Sequence, residues 1–506
     1  MTPESDVRID AILARLDALR AHDAPTHGGR VLSYVYDSGL AELDDLARRA
    51  AARVSSINGL DPTTFPSVAA MERDVIDFAS SLVHGDRLPS GGHTVGLVTS
   101  GGTESCLLAV KSARDRWRAH HPAHTDPPVL LAPITAHAAF HKAAHYFDLT
   151  LELVPVGDDL TISATDLIDR MSDQTALVVV SAPNYPYGLL DPVAQVAPAA
   201  AQRGIACHVD ACIGGWVLPF WDDSASPGSD PLPPWDFRVT GVTSLSMDAH
   251  KYGYAPKGAS VLLFAEPDAK RAAGFATTRW PGYPVVNPTM LGSRSATSLA
   301  AAWTLIQYLA GDGSESPGSN SFHSLTERTA TATATLIDCV EGITGLRVVG
   351  TPAASLFAVC TDTHLDPSQR VDPHLWADAV RAHGWVLQPQ PGLGELPHTT
   401  HLTITPVTAD VVGPLCEALV AAADAVRGAP AVDLAELTEA MPELAGSSAL
   451  NSVDAQHILE SLGLGGDNEG AALPDQLAPV MALLGVIPPP RAESLLAELL
   501  ARLNER

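Results

Sequence analysis

The sequence predicts an α/β protein: a large unit built on a mostly parallel sheet, a smaller α+β unit after it, and an acidic helical tail. Three observations carry this reading. From His93 onward, short apolar runs alternate with longer stretches of helical periodicity, the pattern of strand–helix–strand units. Turns of small residues follow several of the runs, where sheets of this kind bind their ligands. A Gly/Ser-rich break at Gly311–Ser321 then separates the alternation from a second, shorter apolar pattern.

Residues 1–75 mix helix and loop, with an amphipathic helix within Met1–Arg20 and a loop at Ser55-Ser56-Ile57-Asn58-Gly59. The strands are Thr94–Val98, Val129–Leu131, Leu149–Val154, Ala176–Val180, Ile205–Val209 and Val242–Ser246. Between them lie helices at Thr103–Arg118, Ala139–Phe147, Ala164–Met171 and Pro192–Gln202, and a loop at Trp221–Pro234. A long helix after Ser293 closes the large unit near Ala310. The smaller unit has helices at Leu325–Val340, Pro373–His383 and Asp410–Arg427, with strands near Leu346–Val349 and Leu356–Val359. Beyond Gly428 the chain is acidic, broken by Pro and Gly, and carries short amphipathic helices, the last at Ala492–Leu503. The expected division is therefore 1–75, 76–310, 311–427 and 428–506.

Composition narrows the function classes. With 46% apolar and 18% charged residues, 506 residues can bury a large core. A net charge of −27 argues against nucleic acid or an anionic membrane surface as a partner. Six scattered cysteines form no C-x-x-C pair and read as thiols in a reducing compartment. No apolar run reaches membrane length, and Met1–Arg20 lacks the regions of a signal peptide, so a cytoplasmic protein without stable membrane insertion is expected.

Five segments carry chemistry. Lys251, in Ser246-Met247-Asp248-Ala249-His250-Lys251-Tyr252-Gly253, is an amine at a strand end, suited to hold an aldehyde cofactor such as pyridoxal 5'-phosphate (PLP) covalently. His250 beside it can reach the cofactor phosphate, and Lys257 reads equally as a cation for a substrate anion or as a surface lysine. Ser100-Gly101-Gly102-Thr103-Glu104-Ser105 opens a helix after a strand, a geometry for phosphate, although a plain turn capped by Thr103 fits as well. His137 can lie flat on an aromatic cofactor ring or merely cap a helix. Asp210 ends an apolar strand, where a carboxylate needs a partner, and a ring N–H is a good one. His208 and Asp210 could instead hold a metal, but no third ligand cluster accompanies them, and His208 reads equally as a packed neighbour. Gly292-Ser293 at a helix start offers a second anion-binding turn, or a plain loop with a serine cap.

Taken together the strings resemble fold-type I PLP enzymes of the group II decarboxylase superfamily, and within it the sphingosine-1-phosphate lyase family. Asp248-Ala249-His250-Lys251-Tyr252-Gly253-Tyr254-Ala255-Pro256-Lys257-Gly258 is the nearest match to that family's lysine signature. His208-Val209-Asp210-Ala211-Cys212 with Gly214-Gly215, Ser181-Ala182-Pro183-Asn184-Tyr185-Pro186-Tyr187-Gly188 with Asp191-Pro192, and Phe65-Pro66-Ser67-Val68 with Met71-Glu72 are similar too. The likeness covers about residues 28–425. It implies a seven-stranded sheet and a homodimer with shared sites, in which Gly292 and Ser293 touch the neighbour's cofactor phosphate. It also implies substrate contacts from Tyr36, Asn58, Asp61, Tyr187 and Lys257, the last to a substrate phosphate. The chain departs from the family at Asn58-Gly59-Leu60-Asp61-Pro62, where Asp61 replaces an expected histidine, and at Leu32-Ser33-Tyr34 before Tyr36. A carboxylate beside a phosphate would repel it by roughly 1 kcal/mol in a partly screened pocket.

The reaction expected is PLP-dependent cleavage of a carbon–carbon bond in a phosphorylated long-chain amino alcohol such as sphingosine 1-phosphate, giving an aldehyde and phosphoethanolamine. Lys251, Asp210, His137 and Tyr36 are the candidate catalytic residues. An amino-acid decarboxylase of the glutamate or tyrosine type would use the same cofactor residues and differ only in which bond the substrate presents. A non-catalytic scaffold is disfavoured by the intact Lys251, Asp210 and His137.

Overall fold

The computed structural model describes residues 3–224, 231–311, 320–430, 432, 444, 446–461 and 476–502. Parts of the predicted loop at Trp221–Pro234, of the break at Gly311–Ser321 and of the tail, including the end of its last helix at Leu503, lie outside these residues.

Three helices open the chain: α1 (Pro3–Leu19), α2 (Ala41–Arg53) and α3 (Pro66–Leu82). The alternation that follows runs β1 (Val95–Thr99), α4 (Gly102–His120), β2 (Val129–Pro133), α5 (Ala139–Phe147), β3 (Thr150–Val154), α6 (Ala164–Arg170), β4 (Thr175–Ser181), α7 (Val193–Gln202) and β5 (Ala206–Asp210). A short helix α8 (Trp221–Ser224) precedes β6 (Ser244–Met247), β7 (Ser260–Phe264) and α9 (Pro267–Ala273). A hairpin of β8 (Phe275–Thr277) and β9 (Val285–Asn287) then leads into α10 (Thr297–Ala310).

The large sheet has seven strands in the order β1-β7-β6-β5-β4-β2-β3. Strands β2 to β6 pair in parallel, whereas β7 runs antiparallel to both β6 and β1. The six strands anticipated from the sequence are all present; β7 was not among them. No helix separates it from β6, and a strand that returns without a crossover must pair antiparallel. Central strands are apolar on both faces because both are covered. In β4, Leu177 and Val179 join a cluster with Leu107, Val110 and Phe140 of α4 and α5. Val178 and Val180 face the other way, into the main core with Val75, Val196 and Leu305 of α3, α7 and α10.

The second sheet is small and antiparallel: β10 (Leu346–Val348), β11 (Leu356–Thr361), β12 (Gln388–Gln390) and β13 (Thr399–Thr403), in the order β10-β11-β13-β12. Three helices cover it: α11 (Phe322–Glu341), α12 (Pro373–Ala382) and α13 (Thr408–Val426). Strands β12 and β13 escaped the sequence reading because Gln388-Pro389-Gln390 and Thr399-Thr400-His401-Leu402-Thr403 are polar, although every residue of β13 is buried. The N-terminal segment docks on this sheet: Leu32 N–H donates to Val386 O (2.8 Å) and Thr403 N–H to Leu32 O (2.8 Å). Tyr36 packs edge-on against Tyr252 (5.2 Å between centroids), whose hydroxyl donates to Ile404 O just past β13 (2.7 Å).

In the tail, helices at Ser452–Ser461, Ala478–Val486 and Pro489–Arg502 share a small core of Leu444, Ile458, Leu459, Leu483 and Leu495. Asp378 of α12 accepts hydrogen bonds from Leu477 and Ala478 N–H, both at 2.8 Å, and so caps the middle helix. Among the described residues no helix is long and apolar enough to cross a membrane.

Candidate active site

A cavity of about 360 Å³ opens at the carboxyl ends of β1, β4, β5 and β6, lined by Gly101, Gly102, Thr103, His137, Tyr185, Asp210, Asp248, His250 and Lys251 among others. Each side chain arrives there for a reason of topology. Asp210 is the last residue of β5 and Lys251 follows the end of β6 by four residues, so parallel neighbours bring both to the same edge. The Gly101-Gly102 turn follows β1 and starts α4. A Cβ on Gly102 would stand 2.6 Å from Asp248 Oδ2 and 2.8 Å from Cys212 Sγ, which only glycine avoids.

Lys251 Nζ lies 3.0 Å from Asp248 Oδ2. Burial opposes its ammonium form, but the Asp248 carboxylate and the Tyr36 hydroxyl outweigh it, and the lysine is held well above its usual range. Asp248 is itself buried and its Oδ1 has no hydrogen-bond partner. His250 Nδ1–H donates to Ala259 O (3.0 Å), leaving Nε2 on the cavity side, 3.7 Å from Asp248 Oδ2. His137 accepts Ala139 N–H at Nδ1 (3.1 Å), and its ring stands edge-on to Tyr185, 6.4 Å between centroids. Asp210 Oδ1 accepts Cys212 N–H (3.1 Å). At the rim, Lys257 Nζ sits 4.8 Å above the Tyr36 ring and donates to His250 O (3.2 Å). Desolvation, then repulsion from Lys251, draws Lys257 down to about 8.

Not every residue singled out in the sequence reaches the cavity. His208 is fully buried two residues below Asp210 on the same face of β5. There it bonds Ser244 Oγ (2.9 Å) and Ser246 Oγ (3.2 Å), and burial lowers it to about 4. It is a packed neighbour rather than a lining residue. Tyr187 is also buried, in a cluster with Leu160, Leu189 and Val349; Tyr185, two residues earlier, supplies the aromatic wall instead. Asp61 is exposed, and its carboxylate accepts from the Thr63 hydroxyl (2.6 Å) and the Thr64 hydroxyl (2.7 Å). These bonds hold it at about 2 and make it a local turn former. Gly292 and Ser293 are exposed and lie outside their own chain's cavity, with Asn58 Nδ2 donating to Ser293 Oγ (3.1 Å).

Two groups were missed. Asp248 stands in the lysine motif itself, and its spacing of three from Lys251 was the available signal. Glu104 accepts from Ser100 N–H (2.6 Å), Ser100 hydroxyl (2.7 Å) and Met290 N–H (2.7 Å), tying the glycine turn to the segment before Gly292. Only the fold brings residues 104 and 290 together, so nothing local could have shown it.

The donor set fits PLP. An amine, a carboxylate at a strand end, an imidazole and a glycine turn at a helix N-terminus all face one space. Residues 43–273 match the family described as "Pyridoxal-dependent decarboxylase conserved domain". Residues 417–502 match another, "Pyridoxal-dependent enzyme, C-terminal putative HTH domain", so the tail has counterparts among enzymes of this cofactor. The sphingosine-1-phosphate lyase of Oryza sativa is 34% identical over 78% of this chain and 69% of its own length. That of Arabidopsis thaliana is 33% identical over 81% and 71%. A solved Burkholderia pseudomallei sphingosine-1-phosphate lyase superposes with a TM-score of 0.73 at 29% identity, covering 87% of this chain and 94% of that one. A Lactobacillus brevis glutamate decarboxylase shares the fold (TM-score 0.70) at 18% identity. With the cavity's donor set and relatives 34% and 33% identical over 78% and 81% of its length, the chain belongs to the sphingosine-1-phosphate lyase family of PLP-dependent lyases.

Proposed function

We propose that this lyase cleaves a phosphorylated long-chain 2-amino alcohol of the sphingosine 1-phosphate type into a long-chain aldehyde and phosphoethanolamine. The observation that carries the reading is the convergence of Lys251, Asp210, His137 and the Gly101–Thr103 turn on one cavity, with Lys257 over the Tyr36 ring and near enough to Lys251 to be repelled by it. Bound there, PLP supplies a carbonyl for the substrate amine and an electron-withdrawing ring for the bond that breaks.

The chain's own residues do the rest. Lys251 Nζ would hold the cofactor, and its amine at the cavity floor could carry a proton. The Asp210 carboxylate would pair with a protonated ring nitrogen, and the His137 imidazole would pack against the ring. Gly101, Gly102 and Thr103 offer backbone N–H groups and the positive end of α4 to the cofactor phosphate, with His250 beside them. Lys257 binds the substrate phosphate. Tyr36, its hydroxyl raised by burial, orients the substrate next to Lys251.

A homodimer is part of the same proposal. Gly292, Ser293 and Asn58 would then serve a second copy's cavity. The exposed apolar side chains of the β8–β9 hairpin beside them, Phe275 (57%), Tyr283 (60%) and Val286 (67%), support this. A cytoplasmic location is supported by six free thiols in the chain. The amino-acid decarboxylase reading is weaker: it rests on the family description of residues 43–273 and on a fold shared at 18% identity. The test is product analysis: full-length protein with PLP and sphingosine 1-phosphate is expected to release long-chain aldehyde and phosphoethanolamine. Carbon dioxide from glutamate or tyrosine, without that aldehyde, would overturn the proposal.

A further inference from the structure

Two thiols and a carboxylate meet on the cavity floor in a way the lyase reaction does not require. Cys106 comes from the second turn of α4, and Asp210 and Cys212 from the end of β5. Their ligating atoms, Sγ, Oδ and Sγ, all lie within 4.8 Å of one another, and all three residues are buried. Among the described residues no other group of three His, Cys, Asp or Glu side chains meets in this way. Tetrahedral zinc, with bonds of about 2.3 Å to sulfur and about 2.0–2.2 Å to oxygen, needs ligand atoms roughly 3.6–3.8 Å apart, which that spacing accommodates.

The surroundings favour a cation. Asp210 and Asp248 bring two carboxylates to the Lys251 ammonium, with the His250 imidazole 3.7 Å from Asp248 and Lys257 beyond, and Asp248 Oδ1 is buried with no hydrogen-bond partner. Outer hydrogen bonds already orient the donors: Cys212 N–H to Asp210 Oδ1 (3.1 Å), Ser246 Oγ to Asp210 Oδ1 (3.5 Å) and Cys212 Sγ to Ser246 Oγ (3.2 Å). An entering divalent ion would displace the two thiol protons to solvent as the sulfurs ligate it.

We propose that Cys106, Asp210 and Cys212 form a site for a thiophilic divalent cation of the zinc or cadmium kind, open when PLP is absent and closed when it is bound. The two ligands exclude each other because both need the Asp210 carboxylate. This exclusion rests on the cofactor reading above; the cation site itself does not.

The full-length chain, stripped of cofactor, is titrated with cadmium chloride and followed by the ultraviolet sulfur-to-cadmium charge-transfer band. One ion per chain should bind with the intensity of two thiolates, and Cys106→Ser or Cys212→Ser should weaken it by roughly 100-fold. Cys339→Ser, in the separate α11–α13 thiol pair, should leave it unchanged. Added PLP should bleach the band as its own absorbance appears. Cys106→Ala, expected to lose the band while still taking up PLP, separates loss of a ligand from loss of the fold. Absence of the band, its persistence in both Cys106 and Cys212 variants, or its loss in Cys339→Ser would overturn the cation site. A band that survives saturating PLP would overturn the exclusion alone.

Discussion

The floor of the cavity and its rim are built on opposite principles. On the floor, Asp248 and Lys251 neutralise each other at 3.0 Å, and Asp210 takes hydrogen bonds from its own loop, all within one chain and largely out of water. Outside it, Asp61, Lys257, Gly292 and Ser293 are exposed and Asn58 is half-buried; Asp61 bonds within its own turn, whereas Asn58 Nδ2 reaches across the chain to Ser293 Oγ (3.1 Å). The floor is finished by the fold of a single chain. The rim faces outward beside exposed apolar residues of the β8–β9 hairpin, the arrangement expected where a second copy completes a site.

Substitutions should separate the two regions by size of effect. Lys251→Ala is expected to abolish covalent cofactor uptake, read as loss of the visible absorbance of the loaded protein, and to lower turnover by at least about 1000-fold. Asp248→Asn leaves Lys251 without the carboxylate that holds its proton. Borohydride trapping of PLP on Lys251 should then extend to lower pH than in the wild type, with cofactor affinity down by roughly 10–100-fold. An unchanged trapping profile would dissolve the pairing that defines the floor.

Rim changes should be milder. Lys257→Met is expected to raise KM for the phosphorylated substrate by roughly tenfold with a smaller change in kcat. In the wild type the binding cation is present below about 8 and lost above it, so KM should climb as pH passes that value and the variant should show no such climb. Behind the floor, burial pushes the Asp191 carboxyl, which accepts Ser181 N–H at 2.7 Å, up to about 7. The folded chain then binds more protons than the unfolded one between roughly 4 and 7, so this group makes stability fall as pH rises through that window. Asp191→Asn should flatten that slope in denaturant melts. Asp61→Asn should do least, with activity within about twofold and a small drop in melting temperature, since its carboxylate serves only Thr63 and Thr64. A large gain in phosphate-substrate affinity instead would restore Asp61 as a repulsive substrate contact.

The alternation of β1 to β6 with their helices was legible because each strand is a short apolar run and each helix a longer periodic one. Lys251, Asp210, His137 and the glycine turn were legible for the same reason: each follows a strand, and strand ends converge. The docking of residues 30–36 on the small sheet was not, nor were β12 and β13, whose polar residues are buried by neighbours distant in the chain. His208 and Tyr187 show the limit within a motif. Each stands two positions from a lining residue, Asp210 or Tyr185, and depth along the strand or the course of a loop decides which one meets the cavity.

By itself the chain's order of residues determined the architecture of the large sheet and the strand-end places of Lys251 and Asp210 that bring both to one cavity, because local periodicity and strand-end position are properties of neighbouring residues. The tertiary structure alone decided that Asp248 clamps Lys251, that Glu104 joins the glycine turn to the segment before Gly292, and that Cys106 meets Asp210 and Cys212. These contacts depend on side-chain direction and on helices and strands far apart in the chain being packed against one sheet edge.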